Sequence, residues 1–158
     1  MIKLLGLLFS FIALYGGEIP FHTPNQHHDF IYRLNTTFKS ASRILIVTPS
    51  LNHPELQKGI LNAAKHGSRI TLIVQDLKGA PLSMVQYAGV DLYTSAASLD
   101  SSAIIIDEHF VCTLNGKINQ EDFALKRSYI RCNDNPGAIE AVRHSLESVL
   151  SSSKPYLE

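Results

Sequence analysis

The sequence has no excess of charge of either sign. Among its 158 residues, 14 are Lys or Arg and 14 are Asp or Glu, so the formal net charge at pH 7 is zero. A strongly basic protein is drawn as a whole toward nucleic acid or anionic membranes; neutrality excludes that behaviour, so any basic site must be local. Internal repeats, low-complexity segments and blocks of like charge are also missing from the sequence, which excludes repeat and low-complexity architectures.

Cysteine is scarce, since the chain contains only Cys112 and Cys132. The two residues have no Cys-x-x-Cys spacing, so they do not have the character of a metal site. Both fall in predicted strands that are candidates to be neighbours in one sheet. The sequence is compatible with a disulfide, as expected in an oxidising compartment, and equally with two buried free thiols.

An apolar run long enough to cross a bilayer is missing as well. The run from Leu4 to Leu14 follows Lys3 and precedes a pair of glycines, and it is shorter than the ~20 residues that a membrane-spanning helix needs. This arrangement predicts a secretory signal peptide over residues 1–17, and hence a periplasmic or secreted protein. Two alternatives stay open: an uncleaved N-terminal membrane anchor and a buried hydrophobic helix.

What the chain does contain is the composition of one globular domain, with 45% apolar and 18% charged residues. A chain of this length can bury a real core. We predict the domain over residues 18–150, followed by a polar tail over residues 151–158.

The order of the predicted elements indicates the architecture. Unbroken apolar runs at Arg43–Thr48 and Arg69–Gln75 predict strands that are covered on both faces. Between them, Asn52-His53-Pro54 and Gly67 are typical of the start and end of a helix. Strand, helix and strand in this order predict parallel pairing through right-handed crossovers. The predicted fold class is therefore α/β, with a mixed, mainly parallel central sheet flanked by helices.

The second half of the chain carries a hairpin between two polar segments. Asp100-Ser-Ser-Ala-Ile-Ile-Ile-Asp107 leads into a turn, a return strand and then Thr113-Leu-Asn-Gly-Lys117. Together with the segments before it, this pattern over residues 22–150 resembles the phospholipase D superfamily. The resemblance is to its small single-copy bacterial endonuclease-like members in particular.

The resemblance implies a specific chemistry. The family motif is His-x-Lys-x-x-x-x-Asp, followed by a hairpin and Gly-Ser-x-Asn. In the family, the His attacks phosphorus and forms a covalent phosphohistidine, the Lys neutralises the phosphoryl oxygens, and the Asp orients a His. No metal or other cofactor is required. One site needs two motif copies, so single-copy members pair across a two-fold axis.

This chain departs from that motif at its reactive positions. Asp107 matches the Asp, but Asp100 stands where the His is expected and Ser102 where the Lys is expected. Residues two apart on a strand share a face, so Asp100 and Ser102 are expected to point into the same cleft. A carboxylate there would repel an anionic diester, and a hydroxyl supplies no charge. Asp107 at a strand end is equally compatible with a turn-forming role.

The Gly-Ser-x-Asn segment is altered too, since Leu114-Asn-Gly-Lys117 stands in its place. We expect Asn115 and Lys117 to be the residues left to contact a phosphate, with an ordinary polar loop as the alternative. The histidines at 22, 27 and 28 lack the further ligands that a metal site needs. We interpret the basic residues at 126, 127 and 131 as part of a solvent-exposed face rather than a nucleic-acid-binding patch.

The leading hypothesis is an exported phospholipase D-like domain that is catalytically degenerate and acts as a binding or structural module. It would form a homodimer and could keep affinity for a phosphate-bearing ligand, either nucleic acid or a lipid headgroup. Contact with a membrane is expected only through residues 1–17. Two alternatives stay open: an active phosphodiesterase of nuclease or phospholipase D type, and the silent half of a heterodimer with an intact paralogue. The sequence does not decide whether the protein is an enzyme.

Overall fold

A computed structural model describes residues 19–21, 24–78, 80–84, 87–124 and 129–157. The predicted leader, residues 1–17, lies outside this part of the chain. The helices are α1 (Pro24–Phe38), α2 (Pro54–Lys65), α3 (Ala80–Met84), α4 (Gln120–Ala124), α5 (Pro136–Ser145) and α6 (Glu147–Ser152). The strands are β1 (Ile19–Phe21), β2 (Arg43–Thr48), β3 (Leu51–Asn52), β4 (Arg69–Val74), β5 (Val90–Thr94), β6 (Ser101–Ile106), β7 (Phe110–Asn115), β8 (Ile118–Asn119), β9 (Ile130–Asn133) and β10 (Lys154–Pro155).

Eight of these strands form one sheet in the order β1-β9-β7-β6-β2-β4-β5-β10, and β3 pairs with β8 separately. The α/β class and the mixed sheet with flanking helices are confirmed. The parallel part of the eight-stranded sheet is smaller than predicted, because it consists of β2, β4 and β5, while β3 and β8 pair parallel in the separate two-stranded sheet. After β5 the chain returns beside β2 in the opposite direction and continues as antiparallel β6, β7 and β9. The short edge strands β1 and β10 also pair antiparallel.

The central strands lack polar alternation because both faces of the sheet are covered. One face packs on α1 and α2, and the other on α5 and α6. The main core on the first face includes Phe30, Leu34, Phe38, Ile44, Ile46, Leu56, Ile60, Ile70, Leu72, Ile104 and Ile106. The second face carries smaller clusters around Val47, Ile73, Ile105, Val111, Ile139 and Val149. Parallel strands need this two-sided cover.

Helix α2 begins and ends where the sequence predicts. His53 is its N-cap, with its ring Nδ1 accepting a hydrogen bond from the backbone N–H of Leu56 at 3.4 Å, and Pro54 occupies the first turn. After the helix, Gly67 has a φ of 98°. That left-handed conformation favours glycine and turns the chain into β4.

The C-terminal region is more ordered than a polar tail. The last helical segment is divided at Leu146 into α5 and α6. Strand β10 then pairs with β5, placing Lys154 opposite Thr94 and Pro155 opposite Tyr93. The folded part therefore extends beyond the predicted limit at residue 150, and it closes one edge of the sheet. Across the described residues, no helix has both the length and the apolarity needed to cross a membrane.

Cys112 and Cys132 are joined by a disulfide. They are register partners on the antiparallel strands β7 and β9, with their Cα atoms 4.1 Å apart. Both are buried in the main core. Of the two states that the sequence allowed, the structure therefore has the bonded one.

Candidate functional site

The positions that correspond to the family motif lie at the two ends of β6. Asp100 immediately precedes the strand, Ser102 is its second residue, and Asp107 immediately follows it. At about 3.3 Å per residue, the seven steps from Asp100 to Asp107 span about 23 Å along the strand. The structure therefore does not bring Asp107 to the other two positions.

Ser102 is enclosed rather than open to a cleft. Its side chain is part of a residue that is only 3% exposed. The Ser102 hydroxyl donates to the backbone carbonyl of Gly116 at 2.6 Å and lies 2.8 Å from the Thr48 hydroxyl. Thr48 is fully buried, and its Oγ1 accepts from the backbone N–H of Ile118 at 3.3 Å. The two hydroxyls thus tie β2, β6 and the start of β8 together.

Counting protons shows that the single proton of each hydroxyl is already used in a hydrogen bond. Each hydroxyl carries one proton. The Ser102 proton goes to Gly116, and the Thr48 proton is shared between Ser102 Oγ and the carbonyl of Ser50, which lies 2.8 Å from Thr48 Oγ1. Among the described side chains, none that could act as a base lies within hydrogen-bond distance of the Ser102 hydroxyl. The position expected to hold the phosphate-neutralising lysine therefore holds a structural cross-link between strands.

Asp100 lies at the surface, unlike Ser102. Its backbone carbonyl accepts from Gly116 N at 2.9 Å, and its carboxylate accepts from the Ser101 hydroxyl at 3.1 Å. Gly116 therefore bridges the two positions, with its N–H on Asp100 and its carbonyl on Ser102. The prediction that Asp100 and Ser102 open into one cleft is corrected, because β6 begins at Ser101 and the Gly116 turn encloses only Ser102.

Asp107 clamps the hairpin to the start of β2. Its Oδ1 accepts from the backbone N–H groups of Arg43 at 2.7 Å and Ser42 at 2.9 Å, and its Oδ2 accepts from Ser42 N at 3.1 Å. Its own N–H donates to the Arg43 carbonyl at 3.0 Å, and its φ is 50°. In this structure the Asp107 carboxylate braces the backbone at the start of β2. This geometry, with a left-handed φ and a side chain that accepts from backbone N–H groups, is that of a turn-forming Asp.

A surface ion-pair network follows Asp107 in the same turn. The Glu108 carboxylate lies 3.0 Å from the Arg143 guanidinium of α5 and 3.6 Å from that of Arg43. His109 is exposed in the turn. Because between 45% and 71% of each of these ion-paired side chains is exposed, their attraction is screened and contributes little to stability. The Glu108–Arg143 pair lies between the hairpin and α5.

The two residues expected to contact a phosphate differ in their surroundings. The Asn115 side-chain oxygen accepts from the backbone N–H of Tyr129, and Asn115 N donates to the Tyr129 carbonyl at 3.2 Å. Asn115 therefore braces the end of β7 against the residue before β9. Lys117 is exposed in the turn between β7 and β8, beside Gly116. Its ammonium group is at the surface at the same end of the sheet as Asp100.

An aromatic–cation pair at this end was not predicted. The Arg131 Nε donates to the Tyr129 hydroxyl at 3.0 Å, and its guanidinium carbon lies 5.0 Å from the Tyr129 ring centroid. Both side chains are exposed. The available signal was the spacing, because residues two apart along an extended chain share a face. Residues 126 and 127 of the predicted basic run lie outside the described residues.

Within the described ranges, no group of three or more His, Cys, Asp and Glu side chains is placed to hold a metal ion. Of the N-terminal histidines, His22 and the side chain of His27 lie outside what the structure describes. His28 lines a cavity on α1.

Comparison with known proteins gives the fold. No protein-family model matches the chain, and no curated protein matches it. Among solved structures, NucT from Helicobacter pylori superposes with a TM-score of 0.75 at 14% identity, covering 89% of this chain and 99% of that one. Nuc from Salmonella typhimurium, a phospholipase D family member, gives a TM-score of 0.70 at 17% identity, covering 90% and 99%. The protein has the phospholipase D-like fold.

This finding confirms the predicted resemblance at the level of the fold. The phospholipase D-like fold also matches part of TrmBL2, an archaeal chromatin protein described as showing a novel mode of DNA binding. That match has a TM-score of 0.61 at 10% identity and covers 96% of this chain and 60% of TrmBL2. At such identities the likeness concerns the fold alone.

Proposed function

We propose that this phospholipase D-like domain has lost hydrolytic activity and acts as a binding or structural module. The observation that carries the proposal is the environment of Ser102. A lysine could neutralise a phosphoryl oxygen only from an open position, and this position is buried and closed by hydrogen bonds to Gly116 and Thr48. Loss of a nucleophile alone costs an enzyme on the order of a millionfold in rate.

A phosphate-bearing ligand is the partner that the exposed end of the sheet supports. Lys117 and Arg131 present cations there, and Tyr129 presents an aromatic ring. Cations bind phosphates and exposed rings stack on bases, which is a combination suited to nucleic acid. TrmBL2, part of which has this fold, is described as a chromatin protein that binds DNA. Because the net charge is zero, we expect weak binding that salt abolishes.

Export is the second part of the proposal. The leader sequence supports it, and so does the buried disulfide, because disulfides persist mainly in oxidising compartments. Mass spectrometry of the protein from its native host, after separation of periplasm from cytoplasm, tests both points. An intact N-terminal Met1 in the cytoplasmic fraction, with free thiols, would contradict export.

The third part is a homodimer formed through the surface that joins two half-sites in the family. The supporting argument is the fold together with a single motif copy. Sedimentation equilibrium of the purified protein tests it. A monomer at all concentrations would reject the homodimer. Co-purification of a paralogue with a complete His-Lys-Asp motif would indicate instead the silent half of a heterodimer.

Activity is tested by incubating the purified protein with bis(p-nitrophenyl) phosphate and with labelled DNA in the presence of EDTA. We expect no turnover above background. DNA binding is followed by fluorescence anisotropy at low salt, comparing Lys117→Ala with Lys154→Ala on the remote strand β10. We expect only the first substitution to weaken binding. Turnover by the wild type that is lost in Asp100→Asn would overturn the proposal of lost hydrolytic activity and would favour an active phosphodiesterase.

A further inference from the structure

A cavity of about 410 Å³ lies between α1, the N-terminus of α2 and α4. None of the motif-equivalent positions lines it, and neither do Asn115 and Lys117. Its size is in the range of sites that take small organic molecules. It is separate from the Asp100–Lys117 end of the sheet.

The walls of this cavity are mostly apolar and aromatic. Ile31 of α1 and Phe123 of α4 are buried, with 5% and 3% of their surface exposed, and both contribute to the lining. Tyr32 stands at the cavity with 70% of its surface exposed. Such surfaces favour a planar apolar or aromatic group, because rings pack on rings in offset or edge-to-face geometry.

His53 adds a hydrogen-bond donor to this apolar wall. Its ring lies 5.2 Å from that of Phe123, centroid to centroid. Burial lowers the pKa of the His53 imidazole, so the ring is neutral near pH 7 and carries one proton. Nδ1 accepts from Leu56 N, which assigns that proton to Nε2. Within the described part of the chain, Nε2 has no hydrogen-bond partner.

Among the described residues that line the cavity, one lysine is available to pair with a ligand. Glu55 lines the cavity, but its carboxylate is paired with Lys58 at 3.4 Å. Lys39, one turn beyond Asn35, also lines the cavity and is exposed; it forms no ion pair within the described ranges. The Asn35 side-chain oxygen is enclosed against Gly59, so it does not compete for a ligand.

A ring, a donor and a cation together define a ligand class. We propose that this cavity binds a small aromatic carboxylate, with its ring against Phe123 and Ile31. The carboxylate accepts from His53 Nε2–H or pairs with the Lys39 ammonium. A neutral aromatic of the same shape binds more weakly, because it leaves the Lys39 charge without a partner.

Titration calorimetry with 2-naphthoate and with its neutral analogue 2-naphthalenemethanol tests the proposal on the purified protein. We expect saturable binding of 2-naphthoate and affinity about fivefold weaker for the alcohol, the size of an exposed ion pair. Lys39→Ala should weaken 2-naphthoate about fivefold and leave the alcohol unchanged. Lys65→Ala, an exposed lysine of α2 outside the cavity, is the matched control and should change neither.

Two further variants locate the ligand. Thr36→Trp places a bulky ring at the lining and should abolish binding of both molecules. His53→Asn keeps a residue that caps helices well while removing the Nε2–H donor, and should weaken 2-naphthoate about tenfold. If neither molecule binds at millimolar concentration, or if Thr36→Trp binds as the wild type does, the proposal is overturned. Equal effects of Lys39→Ala and Lys65→Ala would also overturn it.

Discussion

Asn35 and Gly59 meet where α1 packs against α2: a β-carbon placed on Gly59 would overlap with Asn35 Oδ1. The Asn35 amide nitrogen donates to the Glu55 carbonyl at 3.0 Å, which fixes the direction of the side chain. Its oxygen is buried and has no hydrogen-bond donor among the described residues. The missing side chain of Gly59 is therefore what allows the two helices to approach this closely.

We predict that Gly59→Ala destabilises the protein, although alanine is the better helix former by about 1 kcal/mol. The added methyl must displace the Asn35 amide and break its bond to Glu55. In an Asn35→Ala background the same substitution should become neutral or stabilising, since the clash is gone. Urea unfolding of the four proteins in this double-mutant cycle measures the coupling. A higher unfolding midpoint for Gly59→Ala alone would contradict the packing argument.

Restoring the family motif should not restore activity. The Asp100→His, Ser102→Lys double variant recreates the His-x-Lys spacing. However, residue 102 is 3% exposed, and the partners of its side chain among the described residues are a hydroxyl and a backbone carbonyl rather than an acid that could pair with an ammonium. We expect loss of about 3 kcal/mol or more of unfolding free energy from the buried charge. Ser101→Lys, at an exposed neighbouring position, is the control and should be tolerated.

The measurements are urea unfolding and release of p-nitrophenol from bis(p-nitrophenyl) phosphate. A stable double variant with turnover above the wild type would mean that position 102 can open. Two substitutions would then restore activity, and Ser102 would not hold a purely structural position.

The fold could be predicted from the sequence because its central strands are continuous apolar segments. The continuous apolar runs of β2 and β4 and the strong helix signals at Pro54 and Gly67 are local, and they appear where predicted. The division of the last helix at Leu146 and the two-residue strand β10 were not predicted, because such short elements have no period to detect.

The site was less accessible, since its character depends on contacts between distant segments. Ser102 was recognised as a departure from the family motif, but its partner Thr48 lies 54 positions earlier. Nothing in either local sequence indicates that pairing. Likewise, Asp107 matches the motif by spacing, and only the register of β6 beside β2 shows that its carboxylate binds backbone N–H groups.

Asp107 should therefore matter for stability. Asp107→Ala removes an acceptor for the N–H groups of Ser42 and Arg43 and puts alanine at a φ of 50°. We expect a loss of about 2 kcal/mol. Asp107→Asn should cost less, because asparagine keeps one acceptor oxygen and tolerates the left-handed region. Thermal unfolding compares them, and equal destabilisation by Ala and Asn would reject this account.

His53 should make stability depend on pH. Burial lowers the pKa of His53 in the folded protein, with Glu55 opposing the shift, whereas the unfolded chain keeps the ordinary value of about 6.5. The unfolded state then binds the proton more readily. The stability that the neutral His53 ring gives the folded protein is fully present above about pH 6.5. It is lost as the pH falls through the pKa of His53 in the folded state. Thermal melts of the wild type and His53→Asn should converge at acidic pH, and identical pH profiles would rule out His53 as their source.

The disulfide provides the most direct check of both the fold and the export proposal. Cys112 and Cys132 enclose a segment with a sequence separation of 20, so the bond should stabilise the native state by ~3 kcal/mol through the unfolded chain. Denatured protein purified without reductant should show no thiol reactive toward Ellman's reagent, and two after reduction. The Cys112→Ala, Cys132→Ala double variant should unfold at lower urea concentration, and reductant should lower the midpoint of the wild type only. Two reactive thiols in unreduced protein isolated from the native host would show that Cys112 and Cys132 are not bonded in that host, although β7 and β9 align them. The disulfide would then no longer support an oxidising compartment.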